Sequence, residues 1–387
     1  MLILNEFPKI NEFYEKYWGK QPFAVRGAID SDCFDEFIDG DTLAGLSLDE
    51  DIKSRLVLTN PDTNSWTCQH GPFDESKFET LGESNWSLLV QNIDQYHPAT
   101  SHLLRYFNFS PRWLMDDIMV SYSAVGGSVG PHTDSYHVFL VQGKGVRRWK
   151  IGCDPIENKE YIDNDELLVL KDGFEGDSIE VGIGDVIYIP PNFGHCGVTL
   201  EEAMTFSVGF LGPKYSEILS EYSHYLEQNS HLNKRYIGQD IDSKSSAFSI
   251  APTAGKNIRE SLIEVINGDN FSEWMAEYFS TSTHDEFEDI DEKQGGELLE
   301  DELLDLLQKG GVLTRPEYIK IVTTESNNGV INLSVYGNNL HIPLAQNKLV
   351  DWLNAAHPIS VDDIDTKKML ELVTELYNRE VLTFPYS

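Results

Sequence analysis

The chain has 387 residues, enough for two or three domains with ample buried core. Its 64 Asp and Glu against 29 Lys and Arg leave a net charge of −35, which repels nucleic acid phosphates and anionic membranes and attracts cationic partners. The four cysteines (Cys33, Cys68, Cys153, Cys196) are scattered without a Cys-x-x-Cys pair, which argues against a zinc site, a disulfide scaffold or a dithiol redox motif.

Met1 to Phe13 has neither a basic n-region nor an apolar stretch of signal-peptide length, and no apolar run approaches the ~20 residues that span a bilayer, so the expected compartment is the cytoplasm. Residues 1 to about 212 read as strand-rich. Ile10 to Trp18 has helical apolar spacing stopped by Gly19. Pro22 to Arg26 reads as the first strand and Trp86 to Ile93 as another. Ile118 to Ala124 leads into a Gly126-Gly127 turn, Val138 to Gln142 is a short apolar strand, and Gly143-Lys144-Gly145 passes to Val146 to Ile151. Ser178 to Pro190 holds two short strands, and Met204 to Phe210 is the last before Gly212-Pro213. Many short strands with Gly turns predict an antiparallel sandwich or barrel.

From Pro213 the period becomes helical, through Ile218 to Leu226, Ile258 to Ile266 and Trp274 to Phe279. A helical insert alone makes a poor independent domain, so residues 213–283 are expected to serve as a dimerisation segment, the alternative being a core of their own. His284 to Gln294 is acidic and poor in apolar groups, as in a linker. Beyond it, a helix over Glu297 to Gln308, strands over Tyr318 to Thr323 and Val330 to Tyr336 joined at Ser326 to Gly329, a short strand over Leu340 to Ile342, and helices over Ala345 to Ala355 and Lys367 to Asn378 predict a winged-helix arrangement. Between Asp285 and Ser387 there are 20 Asp and Glu against 8 Lys and Arg, so a protein-contact module is expected here, with no direct DNA binding.

The chemistry lies in two segments about sixty residues apart, Gly130-Pro131-His132-Thr133-Asp134 and Gly184-Asp185 through Pro190-Pro191 to His195. In extended chain, residues i and i+2 point the same way, so His132 and Asp134 can share one metal. The third ligand is expected from a distant strand across the barrel, and His195 fits. Two imidazoles and one carboxylate are the facial triad that holds Fe(II) with open positions. Such a site can use 2-oxoglutarate, whose distal carboxylate then needs a cation or hydroxyls. Arg147 is the candidate cation and Ser121 the candidate hydroxyl, with a solvent-exposed strand arginine and a satisfied strand serine as the alternatives. Arg148 is expected to point the other way. Cys196, directly after His195, is expected on the opposite face.

Trp113 to Trp149 and Gly184 to His195 resemble the JmjC-type 2-oxoglutarate oxygenases, in particular the bacterial ribosomal oxygenases, or cupin-4 proteins; Phe13 to Phe23 and Trp86 to Gln91 carry further similarity. The resemblance implies a mainly β double-stranded β-helix (the jelly roll of cupins) over residues 1–212, a helical dimerisation segment over 213–283 and an α+β winged-helix domain over 284–387. It implies His132, Asp134 and His195 as the iron ligands, and Arg147, with Ser121 nearby, at 2-oxoglutarate. It also implies hydroxylation of an arginine in large-subunit ribosomal protein sixteen, a basic partner that suits the charge, and a homodimer. A histidine target, as in related eukaryotic oxygenases, and a cupin metalloenzyme that uses no 2-oxoglutarate are the alternatives. His137 stands where the family usually has an acidic residue, which would give the site a spare imidazole. Asn192 replaces a turn Gly and can adopt positive φ. Asp116, Asp117 and Tyr136 lie near the motif, and the resemblance gives them no role.

Overall fold

The structure, a computed structural model, describes residues 1–162, 167–229, 231–238, 248–281, 297–325 and 329–384. The linker expected at His284 to Gln294 and the turn residues Ser326 to Asn328 lie outside the described residues. Met1–Gly212 with Pro316–Tyr318 forms one compact unit; Pro213–Arg315 with Ile319–Ser387 forms the other.

The first unit has twelve strands among its described residues: β1 (Leu2–Leu4), β2 (Phe23–Val25), β3 (Ser54–Asn60), β4 (Ser65–His70), β5 (Trp86–Val90), β6 (Met115–Ser123), β7 (His137–Lys144), β8 (Arg147–Pro155), β9 (Gly176–Val181), β10 (Val186–Ile189), β11 (Phe193–Thr199) and β12 (Ala203–Phe210). Nine of them form a major sheet in the order β1-β2-β10-β7-β12-β6-β5-β3-β4, and β11-β8-β9 form a minor sheet. All neighbouring pairs are antiparallel except β1 and β2.

Alternation along each strand builds two layers of core. Leu56, Leu88, Val90, Ile118, Val120, Phe139, Val141, Phe206 and Val208 fill the outer core of the major sheet, together with Phe13, Tyr17, Leu103 and Phe107 from the helical turns that cover it. The residues between them face the minor sheet. At one end of this interior lie Ala24, Val138, Leu140, Trp149, Ile151 and Ile187; Val57, Trp66, Leu89 and Val169 lie at another. The major sheet is therefore buried on both faces, which is why its central strands read as continuous apolar runs.

Several expectations shift. The strand at Pro22 to Arg26 is the second, since Leu2–Leu4 pairs with it in parallel. The strand from Trp86 ends at Val90, because Asn92 takes φ 59° and Ile93 starts a helical turn. The hairpin β3–β4 and strand β11 add to the strands expected from the sequence. The helix at Ile10 is one turn, continued by a wider π-helical turn over Phe13–Tyr17, and Gly19 ends it at φ 69°.

In the second unit, helices span Tyr215–Gln228, Pro252–Ile266 and Asp269–Ser280. Their aromatic groups pack together: the Tyr222 ring lies 4.8 Å from both Phe271 and Trp274, and its hydroxyl donates to Val265 O at 3.1 Å. Tyr215, Leu219, Leu262 and Ile263 remain exposed. The helix Asp269–Ser280 joins the following β-sheet, with Gly337 N donating to Ser280 Oγ at 3.1 Å and Asn339 Nδ2 to Glu277 Oε1 at 2.6 Å. That sheet is β13 (Ile321–Glu325), β14 (Val330–Val335) and β15 (Asn338–Pro343), with helices at Glu300–Gln308, Asn347–Asn354 and Lys367–Asn378. The helix expected from Glu297 starts at Glu300 because the Asn378 side chain holds the Leu298 backbone through both its N–H and its carbonyl. The first strand of this sheet starts at Ile321, three residues later than expected. No helix among the described residues is long and apolar enough to cross a membrane.

Candidate metal centre and co-substrate pocket

His132 lies in the segment before β7, and His195 is the third residue of β11. The two are direct backbone partners: His132 N donates to His195 O at 3.0 Å, and His195 N donates to His132 O at 2.9 Å. The third ligand thus stands beside the first, not across the barrel. Asn192, at φ 68°, donates its N–H to Asp134 O at 2.7 Å and fixes the next residues in the same way. Candidate ligand atoms of His132, Asp134 and His195 all fall within 4.8 Å of one another.

Each imidazole is oriented by its own backbone. Nδ1 of His132 lies 2.9 Å from Gly130 O and Nδ1 of His195 lies 3.1 Å from Phe193 O. A carbonyl accepts only, so Nδ1 carries the proton and Nε2 keeps its lone pair for a metal. His195 Nε2 and Asp134 Oδ2 are 3.2 Å apart. Burial, then the neighbouring His195, lowers His132 to about 4. Burial raises Asp134, but the adjacent His195 and His132 outweigh it and hold the carboxyl at about 2. Both groups are therefore in their metal-binding forms at neutral pH.

The triad lines a cavity of about 280 Å³ between the sheets. Its floor is the inner face of the major sheet, including Leu89, Ser121, Thr205 and Ser207; Arg147 and Trp149 of β8 cover it. Arg147 is 4 % exposed and has no acidic partner among the described residues. Its Nη1 donates to Thr205 Oγ1 at 3.2 Å, its Nη2 approaches Gly197 O at 3.4 Å, and its guanidinium stacks on Trp149 at 4.9 Å. Burial lowers it to about 10, still cationic at pH 7. Arg147 Nε, Trp149 Nε1 and Thr133 Oγ1 are buried without hydrogen-bond partners among the described residues, and all three residues line this cavity. An isolated buried cation with free donors is costly unless an anion meets it, and a carboxylate fits a guanidinium. Ser121 is also buried, with Oγ donating to Thr205 O at 3.4 Å. Arg148 faces out and pairs with Glu180, and Cys196 lines a separate surface cavity with Lys150 and Phe174.

His137 gives the site no spare imidazole. On β7, Val138 and Leu140 face the cavity, so His137 falls on the other face. Its ring stacks on Trp18 with centroids 3.5 Å apart and 6° between planes, and Nδ1 lies 2.8 Å from Tyr188 Oη. Burial lowers its pKa to about 4. Tyr136 lines the cavity, and burial raises its hydroxyl pKa well above the usual range. Asp117 accepts from Asn92 N at 3.3 Å; burial, with Asp94 and Asp116 nearby, raises it to about 8. Sequence reasoning missed Arg55 of β3, a further cation lining the cavity, because a lone strand arginine carries no motif.

A jelly roll whose facial triad opens onto a pocket with a buried, acid-free arginine defines the class of 2-oxoglutarate-dependent oxygenases. Residues 102–218 match the JmjC domain family and residues 261–383 the ROXA-like winged helix family. The chain is 37 % identical over 306 residues to the ribosomal protein uL16 3-hydroxylase of Escherichia coli, covering 79 % of each chain. It is 37 % identical over 241 residues to a probable ribosomal oxygenase of Haemophilus influenzae, covering 62 % of this chain and 56 % of that one. Among solved structures it is similar to Escherichia coli ycfD, with a TM-score of 0.81, 32 % identity and 97 % of each chain covered. A structure of that ribosomal oxygenase with cobalt and 2-oxoglutarate matches with a TM-score of 0.79 and 31 % identity over 97 % of this chain and 98 % of that one. The chain belongs to the JmjC-domain ribosomal oxygenase family.

Proposed function

We propose that this chain is an Fe(II)- and 2-oxoglutarate-dependent hydroxylase of an arginine side chain in a basic large-subunit ribosomal protein, acting in the cytoplasm as a homodimer. The observation that carries this reading is one cavity holding three convergent ligand groups and a buried guanidinium without an acid. Its Escherichia coli relative is named for hydroxylation of uL16, and the charge of −35 favours a cationic partner.

His132, Asp134 and His195 would hold the iron. With its co-substrate bound, iron supplies the oxidative chemistry: O₂ and 2-oxoglutarate become succinate and CO₂, and one oxygen atom enters a C–H bond of the target. Arg147 holds the distal carboxylate, with Ser121 as a second donor, and so fixes the ketoacid end toward the triad. Leu167 and Val169 wall the cavity and limit water. A cupin enzyme that uses no 2-oxoglutarate would leave Arg147 buried without an anion.

The test is mass spectrometry of a basic ribosomal protein fraction incubated with the chain, Fe(II), 2-oxoglutarate and air. One added oxygen on a single arginine, absent when 2-oxoglutarate is omitted, is expected. The same gain on histidine would move the target, and no gain on any ribosomal protein would overturn the substrate reading.

A further inference from the structure

The major sheet carries one cross-strand row through the pocket. Arg55 of β3 is paired with Leu89 of β5, Leu89 with Ser121 of β6, and Ser121 with Thr205 of β12. All four side chains line the cavity. Thr205 is the residue that Arg147 touches. The row therefore runs from Arg55 to the residue that the Arg147 guanidinium touches, and the backbones of Arg55 and Thr205 are three strand steps apart, about 14 Å.

Arg55 is half-buried. Its Nη2 crosses β5 to reach Met119 Sδ of β6 at 3.9 Å, which lays its head along the cavity floor. A thioether is a weak acceptor, and Arg55 has no ion pair with any described residue. Arg55, His132 and Asp134 line the same cavity. Two guanidiniums without an ion pair to any described residue line one cavity, which suits a short dianion.

We propose that Arg55 is a second co-substrate-binding residue, which holds the carboxylate at the ketoacid end of 2-oxoglutarate while Arg147 holds the distal one. This rests on the proposed function above. The test is a double-mutant cycle on ligand and protein. Binding of 2-oxoglutarate and of its 1-methyl ester, which lacks the ketoacid-end charge, is measured by calorimetry for the cobalt-loaded full-length chain and for Arg55→Gln. Loss of metal coordination by the ester is common to both proteins and cancels. We expect Arg55→Gln to weaken 2-oxoglutarate about tenfold and to leave the ester nearly unchanged, with Arg55→Lys between. Equal weakening of acid and ester would show a merely structural role and overturn the assignment, as would no weakening of either. If the wild type binds neither ligand, the co-substrate reading itself fails; normal binding with no Arg55 effect defeats the Arg55 assignment alone.

Discussion

Arg147 and Asp117 are both buried ionisable residues, with opposite consequences. Arg147 is buried as a cation and waits for an anion. Replacing it with Met should weaken 2-oxoglutarate binding about a hundredfold or more, the scale for removing one member of a buried charge pair, as read by calorimetry. Asp117 is buried as an acid that stays neutral. It titrates at about 8 in the folded chain against an ordinary 3.8, because of burial first and its Asp94 and Asp116 neighbours second. Between those values the folded state holds the extra proton, so stability falls as pH rises through that window. Asp117→Asn keeps an acceptor for Asn92 N and should flatten the fall, with a gain on the order of a few kcal/mol at pH 8 in denaturant melts. A variant with an unchanged pH profile would show that Asp117 ionises freely.

Individual elements decide which residues share a face. The candidate ligand set was legible in the sequence because His132-x-Asp134 is local and a Gly-Asp turn with a Pro-Pro stop precedes His195. That His132 and His195 are neighbours was not legible, since cross-strand register depends on residues far apart in the chain. The β3–β4 hairpin was also hidden. With both faces of the sheet covered, Ser54 to Asn60 loses clean polar–apolar alternation, and Cys68, Gln69 and His70 are weak strand signals. Missing β3 meant missing Arg55. His137 shows the limit of proximity in sequence: three residues after Asp134, strand parity sends it to Trp18 and Tyr188. His137→Ala should cost about 1–3 kcal/mol in thermal or denaturant melts, through the lost stack and hydrogen bond. Cobalt affinity should hold within twofold, and a large fall would return His137 to the metal site.

At the scale of the molecule, charge and exposed aliphatic surface make separate predictions. A surface of net charge −35 should bind a basic ribosomal protein with strong ionic-strength dependence. Raising salt from 50 to 300 mM should lower affinity at least tenfold, mainly through the association rate. Salt-independent binding would assign recognition to apolar contacts. We place the face of the proposed homodimer at the exposed Tyr215, Leu219, Leu262 and Ile263. Sedimentation should find the full chain dimeric and a chain ending at Gly212 monomeric; a dimeric truncation would move the interface elsewhere.

The reciprocal amides of His132 and His195 have a kinetic consequence. Because each ligand's N–H is tied to the other's carbonyl before any ion arrives, the site does not have to fold around its metal. Chelators should strip the ion without melting the fold. Deuterium should enter both amides slowly and at nearly the same rate with and without metal. The barrier to loading is then desolvation of the incoming ion, so metals should exchange at rates ordered by their own water exchange.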